Sequence, residues 1–193
     1  MRKRSILGLP VILVGGMLLA PAGYAADKSE FVAEEIYDPF GFMGTPVGEF
    51  VSAGTVNCPG YEPIGDPTLP PCPAESRTHI RSAVLVSRVN STDARVAGWM
   101  TVELNANWNI YFEGPIWGTF SIMLDSGGSW AGTWQGKRVY EGGSWTGTLN
   151  VRGKGIGGAV DGMIILAEDH LQSFIPMPIA YVGIIEGVII EPK

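Results

Sequence analysis

Three segments with a common skeleton recur in the middle of the chain: Trp117-Gly118-Thr119-Phe120, Trp130-Ala131-Gly132-Thr133-Trp134 and Trp145-Thr146-Gly147-Thr148-Leu149, offset by 13 and then 15 residues. That offset suits successive strands of an antiparallel meander, each a strand length plus a turn. Between them lie Asp125-Ser126-Gly127-Gly128 and Glu141-Gly142-Gly143, which supply the positive backbone dihedrals of tight hairpins. No stretch of ten or more residues shows a convincing helical apolar period. The chain is therefore read as all-β. Its 27 glycines among 193 residues, about twice the usual share, and its 17% charged residues fit one turn-rich domain and disfavour intrinsic disorder.

Strand segments are expected at Val47 to Ala53, Thr78 to Val89, Val96 to Leu104, Pro115 to Leu124, Ser129 to Tyr140, Ser144 to Arg152, Gly157 to Glu168 and Ile179 to Ile190. The pleat divides their faces. Trp130, Gly132, Trp134 and Gly136 oppose Ala131, Thr133, Gln135 and Lys137, and Trp145, Gly147, Leu149 and Val151 oppose Thr146, Thr148, Asn150 and Arg152. Alternate glycines on the aromatic face make room for the Trp rings and let the sheet coil. A closed antiparallel barrel of about eight strands, residues 47–193, follows, since closure removes the edges of a flat sheet. Several strands carry charges on both faces, which disfavours a barrel that sits in lipid. Residues 26–46, with Phe31, Tyr37, Phe40 and Phe42, form a separate N-terminal segment that either caps the barrel or trails in solvent.

The segments Gly114 to Phe120, Gly128 to Arg138 and Gly155 to Met163 resemble the small bacterial barrels of the allene oxide cyclase and dirigent superfamily, over about Arg77 to Glu186. The resemblance implies a calycin-like, eight-stranded barrel with a central cavity, in which members of the superfamily guide ring closure or bind apolar molecules. The cyclases' catalytic residues find no position-by-position match, so no active site is carried over.

The first 25 residues have their own character. Arg2, Lys3 and Arg4 precede an apolar run from Ile6 to Ala20, and Gly23-Tyr24-Ala25 offers small residues at a cleavage site. This is read as a secretory signal peptide, giving a secreted or periplasmic protein that starts near Ala26 and has no membrane attachment after cleavage. Loss of those three basic residues leaves 10 basic against 19 acidic residues, a formal net charge of −9, unfavourable for a nucleic-acid partner. Cys58 and Cys72 bracket a 13-residue segment with five prolines and two glycines, expected to be a loop closed by a disulfide.

Chemistry is harder to read. His79 and His170 are the only histidines, with no metal-binding spacing, so no metal and no cofactor are expected. Glu168-Asp169-His170 is an ionisable cluster that alternation would split, and is read as a solvated loop. No nucleophile elbow occurs, Gly153 to Gly158 reads as a hairpin rather than a phosphate loop, and Asn105 and Asn107 read as turn residues. Glu103, Glu113, Asp161 and Glu186 are candidates for polar residues inside the barrel. Asp161, between glycines, and Glu186, in an apolar strand, are the catalytic candidates, since a carboxyl group in an apolar interior gains the raised pKa of a general acid. Trp117, Trp130, Trp134 and Trp145 are the ligand-binding candidates. Three functions stay open: binding of a small apolar molecule, a cyclase or isomerase using an interior carboxylate, and a homo-oligomeric interaction module with a self-filled barrel.

Overall fold

A computed structural model describes residues 26–59, 76–173 and 180–192. The signal-peptide reading of residues 1–25, the body of the proline-rich loop with Cys72, and Ile179 lie outside the described residues. The strands are β1 (Lys28–Tyr37), β2 (Glu49–Ser52), β3 (Thr55–Asn57), β4 (Thr78–Ser91), β5 (Gly98–Trp108), β6 (Gly114–Leu124), β7 (Ser129–Glu141), β8 (Ser144–Ile156), β9 (Ile164–Ser173) and β10 (Tyr181–Ile190). From β4 to β10 each strand pairs with the next in an antiparallel meander, as the Trp repeat implied. β1 then pairs with β10 on one side and β4 on the other, closing an eight-stranded antiparallel barrel.

The N-terminal segment is thus neither a cap nor a tail. It supplies a wall of the barrel, and β1, β2 and β3 follow one another along a single edge of β4. Ala33–Ile36 face Arg88–Ser91, while Thr55–Asn57 face His79–Arg81. The loop between β1 and β2 is pinched by a bridge from Asp38 to Val47, and the buried Asp38 carboxylate accepts the amides of Phe42 at 2.8 Å and Met43 at 2.6 Å. Such local acceptors satisfy backbone donors that would otherwise have no sheet partner.

Two other boundaries differ from expectation. Asn105 and Asn107 are strand residues of β5, where Asn107 Oδ1 accepts from Arg81 Nη2 at 2.7 Å and Asn105 Oδ1 accepts the Ser82 amide at 3.1 Å. β9 starts at Ile164, not Gly157, and runs on through Glu168-Asp169-His170, so that cluster is strand and not loop. A single 3₁₀ turn, Gly158–Val160, occupies the connection before it.

Alternation puts one face of every barrel strand inside. On β7 these are Trp130, Gly132, Trp134, Gly136 and Arg138; on β8, Gly147, Leu149, Gly153 and Gly155. At one end the barrel is plugged: Val89, Val96, Trp130, Val160 and Ile189 are all fully buried. Trp130 Nε1 donates to the Arg95 carbonyl at 2.6 Å, and the Arg95 guanidinium binds Asp93, Glu191 and Ser29, tying the β4–β5 turn to the ends of β1 and β10. Each large side chain buried in this plug contributes roughly 1.5–3 kcal/mol. Gly118 matters on the neighbouring wall, because a Cβ there would collide with the Glu103 carbonyl and lie 3.1 Å from the Trp134 ring.

Candidate functional site

Above the plug the interior is not filled by side chains. A cavity of about 110 Å³ remains, walled by Leu85, Met100, Val102, Leu104, Phe120 and Ile122 among others. That is smaller than the ~150 Å³ apolar cavity known to take up benzene, so an occupant of this space is small. Two polar groups of opposite character reach into this apolar space, both at the end away from the plug.

The first is a carboxyl pair. Glu35 comes from β1 and Asp169 from β9, 2% and 3% exposed, and β10 lies between their strands. The residue of β10 opposite Glu35 is Gly183, and a Cβ there would fall 2.5 Å from Asp169 Oδ1. Glycine therefore makes the space in which the carboxyl groups meet. Tyr181 Oη donates to Glu35 Oε1 at 2.7 Å, and the Tyr181 ring packs on Tyr37 with centroids 5.1 Å apart. Burial raises the pKa of Glu35, while its interactions with Asp169 and the Tyr181 hydroxyl act in the opposite sense. Asp169 is pushed well above the ordinary carboxyl range, first by burial and then by the charge and hydrogen bond of Glu35. Both carboxyl groups are therefore held above the ordinary carboxyl range, and they titrate as a pair. Burial also lifts the Tyr37 hydroxyl to about 12.

The second is Arg138, 6% exposed, on the inner face of β7. Its guanidinium carbon sits 4.8 Å from the Trp108 ring centroid and 5.1 Å from that of Trp145. Both terminal nitrogens, Nη1 and Nη2, are buried without a hydrogen-bond partner among the described residues. Burial in this apolar setting lowers its pKa to about 10, which still leaves it charged at neutral pH. A buried cation supported only by aromatic faces is uncommon, because a desolvated guanidinium ordinarily finds a carboxylate or carbonyl.

The residues singled out from sequence divide unevenly. Trp134 and Trp145 line the cavity. Trp130 is on the same face but belongs to the plug, and Trp117 is on the outer face of β6 with the Arg81 guanidinium 5.2 Å from its ring. None of the four carboxylates expected inside reaches the cavity. Asp161 is exposed and caps its turn by accepting the Gly157 amide at 2.9 Å. Glu186 is exposed on the outer face of β10, where the preceding Ile185 takes the inward position. Glu103 accepts from Ser82 Oγ at 2.8 Å on the outside, and Glu113 accepts the Tyr140 amide at 3.0 Å in the β7 hairpin region. His170 faces outward, 48% exposed in its side chain, beside Glu168.

Glu35, Tyr181, Arg138 and Trp108 were not among the site candidates, and Asp169 was read as part of a solvated loop, though the signal for Arg138 was present: it continues the even-numbered series from Trp130. Among the described residues, no group of three or more His, Cys, Asp or Glu is placed to hold a metal ion. Comparison with protein-family models, curated proteins and solved structures finds no match.

Proposed function

We propose that this barrel holds one small, largely apolar molecule in its interior. The observation that carries the reading is the cavity itself, closed at one end by a packed plug, apolar along its walls and equipped with a few convergent polar groups at the other end. An eight-stranded barrel is just wide enough to fill its interior with its own side chains, and this one leaves space instead. Support also comes from the resemblance to allene oxide cyclase and dirigent-type barrels, whose members bind or shape small molecules in the same place. The apolar faces point inward, the reverse of a barrel embedded in lipid.

The leader-like first 25 residues make it an exported protein in this reading, and Cys58 with Cys72 would then form a disulfide in an oxidising compartment. Native mass spectrometry of protein recovered from its own host tests both parts. The expected result is a chain beginning at Ala26, with an adduct that leaves on denaturation. A bare chain in every preparation, and no uptake of small apolar probes, would overturn the reading in favour of a self-filled barrel.

A second reading rests on the carboxyl pair. An acid that keeps its proton, beside a carboxylate and a tyrosine in an apolar cavity, can protonate a ligand oxygen while its partner takes a proton elsewhere. That is the equipment of a cyclase or isomerase, with Glu35 and Asp169 in the roles first sought at Asp161 and Glu186. In an enzyme, Asp169→Asn keeps the ligand and loses turnover; in a binding protein it changes affinity alone.

A further inference from the structure

Resting on the binding role just proposed, we infer that Arg138 is the anchor for a carboxylate, so that the molecule the barrel takes is a small organic acid with an apolar body. Among the described residues Nη1 and Nη2 of Arg138 have no hydrogen-bond acceptor, although Arg138 is only 6% exposed and lines the cavity. The guanidinium carbon lies over the Trp108 and Trp145 rings, whose faces offer its N–H donors no hydrogen-bond acceptor of the carboxylate or carbonyl kind. A carboxylate matches those donors, since its two oxygens accept two parallel N–H bonds in the plane of the fork.

The protein's own buried acids do not serve. Glu35 and Asp169 also line the cavity, but Glu35 Oε1 accepts Tyr181 Oη, Asp169 Oδ1 has no partner among the described residues, and neither acid bonds to Arg138. Among the described residues, Arg138 is a buried cation without an acceptor.

The remaining walls set the rest of the ligand. They are apolar, and about 110 Å³, below the ~150 Å³ of a cavity that takes up benzene, limits that body to a small one.

The test compares pairs of the same shape that differ in charge: hexanoate with hexanamide and benzoate with benzamide, by calorimetry and by quenching of tryptophan fluorescence. Wild-type protein is expected to bind each acid about tenfold or more tightly than its amide. Arg138→Gln should erase that preference while leaving amide binding in place, and Arg138→Lys should keep part of it. Equal binding of acid and amide by wild type, or a preference that persists in Arg138→Gln, overturns the anchor and leaves the cavity reading standing. Absence of binding by all four probes overturns both. Should the variants fail to fold by circular dichroism, the wild-type comparison alone decides the ligand class, because it needs no substitution.

Discussion

Arg138 is where function and stability pull apart. Two buried, unsatisfied donors on a charged group cost on the order of 1–3 kcal/mol, and the two Trp faces return part of this. Replacing the side chain by one of similar length without charge should relieve the cost, as it does for other buried charges. Arg138→Met is therefore expected to stabilise the ligand-free protein by about 1 kcal/mol, raising its Tm by roughly 2–4 °C in a thermal melt; a lower Tm would mean that the aromatic contacts outweigh desolvation. The carboxyl pair has its own signature. Its pKa values in the folded chain are raised above the ordinary 4.5 of Glu35 and 3.8 of Asp169, so between those values and the folded ones the folded state carries more protons than the unfolded. Its contribution to stability is present in full below about pH 4 and is lost as pH rises through the folded values. Asp93 and Asp125, held low by Arg95 and Arg88, act in the opposite direction and lose their contribution on acidification. Melts from pH 5 upward should show Tm falling with pH, and Asp169→Asn should flatten that slope; an unchanged slope would refute a shared proton.

The clearest lesson at the level of single elements comes from β10. Gly183 is buried between β1 and β9, and a side chain there would stand 2.5 Å from Asp169 Oδ1 and 2.8 Å from Leu171 Cδ2. Gly183→Ala should accordingly lose about 1–3 kcal/mol and lower the pH dependence of the melt, since the carboxyl groups can no longer meet. An alanine variant with wild-type stability would show that the wall yields. The legibility of β7 and β8 against that of β1 and β9 has a physical basis. In β7 and β8 the inner face is Trp and Gly and the outer face Thr, Gln, Asn and Lys, so period two is plain in the residues themselves. β1 reads Lys-Ser-Glu-Phe-Val-Ala-Glu-Glu-Ile-Tyr, with Val32 and Ile36 outside and Glu35 inside, so its pattern conceals the pleat. β9 hides its inward acid for the same reason, between outward Glu168 and His170.

The whole molecule depends on closure by β1. Without it, β4 and β10 would each present an open edge, and the barrel would be a curved sheet with its apolar face partly bare. A chain shortened to begin after Tyr37 should consequently fail to give a soluble monomer, read by size exclusion with light scattering and by loss of the cooperative melt. A folded monomer of that length would show that β2 and β3 can substitute along β4. The same pairing creates the site, because Glu35 arrives on the strand that closes the ring and meets Asp169 across β10.

By itself the sequence determined the all-β class, the meander through the Trp repeats and which face of β7 and β8 is buried, because turn glycines and two-residue alternation are local properties of the chain. It located Trp134 and Trp145 on the inner face for the same reason. What only the tertiary structure decided was which strand completes the ring and which polar groups the ring encloses. Glu35 and Asp169 lie 134 positions apart and become neighbours through the pairing of three strands, while Arg138 becomes a buried cation only once the barrel has closed around it. Burial of a charge is a property of everything that surrounds it, and no window of sequence contains that.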